Sequence, residues 1–253
     1  MIDPALAELL LSPWALGVLG LVIGSFLNVV IYRLPLMLER QWWSDVVAQL
    51  RDRDSFRRTF AAEAPPGLDQ AAGALRRTLA ALGPLSLTKP GSRCPSCSHR
   101  IRWHENIPLL SWLRLHGRCS ACGARITARY PLVELATALL FGAVAWRAGG
   151  QPVALLHCGL VAGLVTLAMI DWDTTVLPDA ITLPLLWAGL VAAALGWLPA
   201  VTLSAAMWGA VAGYLSLWSV YWLFKLTTGK EGMGFGDFKL LAALGAWLGW
   251  HAI

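Results

Sequence analysis

The chain has 253 residues, 57% of them hydrophobic and only 14% charged, with a mean hydropathy of +0.59. A soluble domain carries about 25% charged residues, and the apolar residues here come in blocks near the length of a bilayer span, which excludes an ordinary soluble fold and points to an all-α polytopic membrane protein. Net charge is +5, but 16 of the 20 Lys and Arg fall between Arg33 and Arg129. Acids are interspersed there and no nucleic-acid recognition motif is present, so the block reads as a cytoplasmic segment, with no nucleic-acid partner.

The first apolar run covers residues 9–31. Asp3 and Glu8 precede it where a secretory signal would carry basic residues, so it reads as a retained transmembrane helix with its N-terminus outside and Arg33 at its cytoplasmic end. Near that end, Gly24 and Ser25 permit close helix packing and Asn28 can hydrogen-bond across helices.

Residues 33–130 form a polar insertion. In its first half, Trp42, Trp43, Val46, Val47 and Leu50 recur at helical spacing, which predicts amphipathic helices, and Pro65-Pro66-Gly67 divides them. Next come Cys94-Pro-Ser-Cys97 and Cys119-Ser-Ala-Cys122, with 21 residues between the pairs. Two such knuckles present four soft thiolates to one tetrahedral ion, the ligand set of a zinc ribbon, and four protein ligands make the site structural. His99, His104 and His116 read as ordinary polar residues of the ribbon, and Cys158, inside an apolar run, as packing.

The membrane resumes at Tyr130. Spans are expected near 131–146, 152–170, 180–198, 200–224 and 238–250, about six transmembrane helices in all. The expected domains are 1–32, the first membrane helix; 33–130, a small cytoplasmic domain containing the zinc ribbon; and 131–253, the remaining membrane helices. Counting from an outside N-terminus puts 171–179 and 225–237 on the cytoplasmic side, with Arg147 the one basic residue outside.

That topology brings two acids to the same face. Asp171 closes one apolar run; Asp237 opens another, behind Gly234 and Gly236, whose missing side chains let an extended peptide approach. Two close carboxylates can share a proton and activate water as in an aspartic protease. Paired membrane acids also serve ion and proton pathways, so on these residues alone a transporter with a zinc-ribbon regulatory domain stands equally well, and a non-enzymatic assembly factor is a third reading. Asp179, after Pro178, reads as the N-cap of the next helix and Asp173 as a loop residue; Glu134, near the start of its span, reads as a cap or ion-pair residue.

Several stretches together resemble one family. They are Gly24-Ser25-Phe26-Leu27-Asn28-Val29-Val30 with Arg33-Leu34-Pro35, the two cysteine knuckles, Glu105-Asn106-Ile107-Pro108, Arg129-Tyr130-Pro131-Leu132-Val133-Glu134, Ile170-Asp171 through Leu177-Pro178-Asp179, and the run from Gly229 through Gly234-Phe235-Gly236-Asp237 to Lys239. The chain resembles the type IV prepilin peptidases, bifunctional leader peptidases and N-methyltransferases of the bacterial inner membrane. The resemblance implies a GxGD aspartic protease with Asp171 and Asp237 as its pair and Gly234 and Gly236 in the active-site loop. It implies cleavage of prepilin and pseudopilin leaders at the cytoplasmic membrane face, in contact with lipid, then methylation of the new N-terminal amine with S-adenosylmethionine as donor. It implies zinc at Cys94, Cys97, Cys119 and Cys122. No Gly-rich Rossmann fingerprint is present, so the donor is expected in the cytoplasmic domain, with Gly117 beside Cys119 as its candidate residue. Family members continue with further spans after the GxGD helix, so the sequence is expected to be a piece lacking them.

Overall fold

The structure, a computed structural model, describes residues 3–253. Among the described residues the only extended pairings are isolated bridges, Arg93 with Arg100 and Arg118 with Arg125. The helices in order are α1 (Pro4–Leu10), α2 (Pro13–Arg51), α3 (Arg53–Phe60), α4 (Leu68–Ala81), α5 (Leu110–Arg114), α6 (Arg129–Ala148), α7 (Val153–Thr174), α8 (Asp179–Ala194), α9 (Leu203–Thr228) and α10 (Phe235–Leu248). Of these, α2, α6, α7 and α9 are long and apolar enough to cross a membrane, and α8 is a shorter apolar helix. At 1.5 Å per residue α6 is about 30 Å long, α8 about 24 Å and α10 about 21 Å. All six expected apolar helices are therefore present, and the chain is an integral membrane protein. Large side chains such as Trp14, Trp146, Trp187 and Leu223 stay exposed on these helices, a surface that lipid rather than water suits.

Two boundaries depart from the hydropathy reading. The first helix continues unbroken through Arg33 and Pro35 to Arg51. Hydropathy marks where the apolar environment ends, whereas a helix ends where its backbone bonding ends. Likewise α7 carries Asp171 and Asp173 inside its last turns and stops at Thr174.

The chain forms two compact units, Met1–Asn28 with Arg102–Ile253, and Val29–Ile101. In the first, α10 packs against α8 and α9. A Cβ added to Gly209 of α9 or to Gly245 of α10 would enter the opposing backbone, and one on Gly213 would lie 2.5 Å from the Leu241 carbonyl oxygen. Without a hydrophobic drive between helices in lipid, such close backbone packing is what holds them. Trp247 fills the space over Gly189, and its indole N–H donates to the Leu185 carbonyl at 2.8 Å. The pairing of α2 with α6 works the same way: a Cβ on Gly20 would sit 2.7 Å from Ala138 Cα, and one on Gly24 2.8 Å from Glu134 Cα. Asn28 closes this crossing, donating to the carbonyls of Gly24 (3.2 Å) and Tyr130 (3.1 Å).

In the second unit, α2 beyond Asn28 is followed by α3 and α4, separated by the Pro65-Pro66-Gly67 turn as expected. Asp52 caps α3 by accepting from the Ser55 N–H at 2.9 Å. Arg53 pairs with Asp69, and Arg57 with Glu63. Arg33 is buried, its guanidinium donating to the carbonyls of Ser86 (2.8 Å), Leu87 (3.5 Å) and Pro90 (2.7 Å). Those acceptors satisfy the charge and hold the 86–90 loop that leads into the first cysteine knuckle.

Candidate active site and metal centre

Asp237 lies in the first turn of α10, where free backbone N–H groups and the helix dipole favour a carboxylate. Gly234 is the N-cap of that helix. Aromatic edges brace this end: Phe238 is fully buried and meets Tyr214, Tyr221 and Phe235 at centroid distances of 5.8, 5.7 and 5.5 Å. Asp237 is half-buried, while Asp171, in the last turns of α7, is exposed within the chain.

The elements carrying the two aspartates touch. A Cβ added to Gly236 would lie 2.7 Å from the Cβ of Leu177, in the loop that follows Asp171. The second glycine of Gly-Phe-Gly-Asp is thus the seat on which the other aspartate's loop rests. Gly234 has no such constraint, since its Cβ would be 3.9 Å from the nearest atom, Asp237 Oδ2. Two ion pairs flank the contact. Arg129 donates to both Asp173 oxygens at 2.7 and 2.6 Å and to the Met169 carbonyl at 3.3 Å, tying α6 to α7. Lys239 donates to both Asp179 oxygens at 2.7 Å, tying α10 to α8.

Asp179 therefore does not cap α8, as its position after Pro178 suggests. The N-cap is Pro178, and Asp179 as the first helical residue turns its carboxylate to Lys239. Asp173 is helical rather than a loop residue. Sequence reasoning passed over Arg129, Leu177 and Lys239. The one available signal was Lys239 standing two residues after Asp237, as Asp173 stands two after Asp171. The loop entering Gly234 is closed by Lys225, which donates to Glu231 at 2.8 Å and to the Tyr221 hydroxyl at 3.2 Å. The Lys225 hydrogen bond and charge hold the Glu231 carboxyl below the ordinary glutamate range.

Glu134 is neither a cap of its own helix nor half of an ion pair. It is buried, accepts from the Leu109 N–H at 2.8 Å, and is hydrogen-bonded by Ser25. Leu109 has φ +58°, and the adjacent Leu110 N–H donates to the Pro108 carbonyl at 2.6 Å, a strained three-residue turn. Glu134 accepts from the amide of the residue at the centre of that turn.

The four knuckle cysteines come together: one sulfur from each of Cys94, Cys97, Cys119 and Cys122, all within 4.8 Å of one another. Each knuckle has the same backbone design. Cys94 N–H donates to His99 and Cys119 N–H to Ala124, both at 2.9 Å; Ser98 and Gly123 donate back to the first cysteine's carbonyl and take positive φ, 59° and 70°. Tetrahedral Zn–S bonds of about 2.3 Å place sulfurs about 3.8 Å apart, so this cluster can hold a metal ion with small adjustment. Gly117, near the second knuckle, is explained by its backbone. It has φ +65°, its N–H donates to the Trp112 carbonyl, and a Cβ would lie 2.9 Å from the Trp112 ring. Cys158 is buried among Leu16, Phe141, Ala145 and Ala154, in keeping with packing.

Two family models match this chain: the bacterial peptidase A24 N-terminal domain over residues 18–148, and the type IV leader peptidase family over residues 158–253. Among curated proteins, it is 52% identical over 236 residues to a prepilin leader peptidase/N-methyltransferase of Stutzerimonas stutzeri, covering 93% of this chain and 73% of that protein. Proteins of the same name from Aeromonas hydrophila (53% over 237 residues; 92% of this chain, 72% of that protein) and Pseudomonas aeruginosa (51% over 235 residues; 93% and 72%) are similar. No solved structure matches.

Proposed function

This chain belongs to the type IV leader peptidase family, and from that premise we propose that it cleaves prepilin and pseudopilin leaders and methylates the amine so released. The observation that carries the peptidase reading is the seating of the Asp171 loop, through Leu177, on Gly236 beside Asp237. The two aspartates are the catalytic pair in this reading. One, ionised, takes a proton from water as the water oxygen adds to the scissile carbonyl carbon; the other, protonated, donates to the carbonyl oxygen. The tetrahedral adduct then collapses, the C–N bond breaks, and the departing amine receives a proton from the pair.

The site faces the cytoplasm of the bacterial inner membrane in this reading. A leader carrying Lys or Arg stays on the cytoplasmic side while the apolar pilin stem lies in lipid, which puts the scissile bond at the interface. In the second reaction the uncharged N-terminal amine attacks the methyl of S-adenosylmethionine; the N–C bond forms as the C–S bond breaks, and the nitrogen loses a proton. The donor site is assigned to the cytoplasmic segments, with Gly117 as a residue of the turn beside it. Zinc fits Cys94, Cys97, Cys119 and Cys122, where it would cross-link the two knuckles and supply no open coordination position. The transport reading rested on paired acids alone, which a peptidase also requires.

The test is incubation of the chain in detergent or liposomes with a leader-bearing prepilin. Cleavage by the parent and its loss in Asp237→Ala and in Asp171→Ala, with each variant still inserted and folded, is the expected result. Cleavage by either variant at the parental rate would remove that aspartate from the catalytic pair.

A further inference from the structure

We infer that the Asp179–Lys239 pair is a positioning device that sets the register between the two aspartates, an inference that rests on the peptidase reading above. Between Asp171 and Asp179 the chain completes α7 at Thr174 and crosses to α8 through residues 175–178. It leaves α7 through Thr175, a β-branched residue at φ +53°, whose N–H returns to the Asp171 carbonyl at 2.8 Å. A β-branched side chain in this left-handed conformation is strained and persists only where the surroundings impose it. The imposition comes from both ends of the turn. Before it, Asp173 is clamped by Arg129; after it, Asp179 is clamped by Lys239. Between them, Leu177 sits on Gly236 at a separation that leaves no space for another atom.

Only the second clamp reaches the element that carries Asp237. Lys239 is two residues beyond Asp237 on α10, and its ammonium holds both oxygens of the residue that starts α8. Sliding α10 along its axis would strain this pair at the aspartate end of the α8–α10 contact, while the Trp247–Leu185 hydrogen bond holds the other end. The pair therefore converts a van der Waals contact, which resists approach but not separation, into a joint that resists both.

Its exposure argues that its role is geometric. The side chains are 31% and 53% exposed, and pairs of that kind contribute little to stability. A positioning role thus predicts a kinetic effect without a thermal one. Misplacement of reacting groups by about 1 Å costs about 10²-fold in rate.

The experiment compares Lys239→Gln, Lys239→Arg, and the exchange Asp179→Lys with Lys239→Asp in the full chain. It measures kcat and KM for prepilin cleavage, the thermal midpoint, and methylation of a prepilin cleaved beforehand. The expected outcome is a kcat for Lys239→Gln about 10- to 100-fold below parent, with KM, the thermal midpoint and methylation near parental. Lys239→Arg should keep most of the activity, and the exchange should restore part of what Lys239→Gln loses. An unchanged kcat in Lys239→Gln would overturn the inference, as would equal falls in kcat, thermal midpoint and methylation, which would mark a general structural role. If the parent itself does not cleave, the peptidase reading fails rather than this one.

Discussion

Gly236→Ala adds one methyl group at the contact between the two aspartate-bearing elements. The added carbon would lie 2.7 Å from Leu177 Cβ, against about 3.5–4.0 Å for carbons at rest. The elements must therefore part by about 1 Å. No rotamer change relieves the clash, because Leu177 Cβ is bonded directly to the backbone. Gly236 is helical, and alanine there is favoured by up to about 1 kcal/mol over glycine, so the helix itself is not weakened. Displacement of this size costs about 10²-fold in a reaction that needs both carboxylates on one water. The assay is steady-state prepilin cleavage beside a thermal-unfolding control. The expected result is a fall of that order with the thermal midpoint near the parent's. A second substitution sharpens the test: Leu177→Gly removes the colliding atom and should recover activity in the Gly236→Ala background, whereas Leu177→Ala retains it and should not. Parental activity in Gly236→Ala, or equal recovery by both Leu177 substitutions, would refute the reasoning.

Other substitutions test the remaining joints. Cys119→Ser should lower bound metal, measured by elemental analysis, and loosen the knuckle-bearing segment to protease, while peptidase activity persists at least in part; a strong chelator should do the same to the parent. Glu134→Ala leaves the Leu109 N–H without its buried acceptor and should cost about 1–3 kcal/mol in thermal unfolding, with Glu134→Gln falling between, since an amide oxygen still accepts. Glu231 has its carboxyl depressed in the folded chain by Lys225, so its contribution is present above the ordinary glutamate value and is lost as pH falls through the depressed one. The thermal midpoints of the parent and Glu231→Gln should therefore differ at neutral pH and converge in acid. Gly209→Ala should lower the midpoint more than substitutions on the lipid-facing side of α9, because its Cβ meets backbone rather than a side chain that can turn away.

Much of this protein was legible in its sequence because the determining signals are local. A bilayer demands apolar runs of a set length with their backbone bonds satisfied internally, so the run lengths along the chain announced six apolar helices. Four cysteines in two knuckles announced their own convergence, since each pair is turned toward a common point by the three-residue step between its members. Asp171 and Asp237 stood out because carboxylates beside apolar runs are costly.

What tertiary structure decided depends on which helix meets which. Gly236 and Gly234 look alike in the sequence, yet only Gly236 is required by a neighbour, and that neighbour is some 60 positions away. Asp179 follows Pro178 as a cap would, but a lysine on another helix takes both oxygens of its carboxylate at 2.7 Å. Arg33 reads as the charge that ends a span, yet the backbone bonding of α2 runs on to Arg51 and the guanidinium is satisfied by carbonyls of the 86–90 loop. Glu134 reads as a residue serving its own helix and serves a strained turn 25 residues earlier instead. In each case the residue type was informative and the partner was not, because hydrogen bonds and close contacts form between surfaces that only folding brings together.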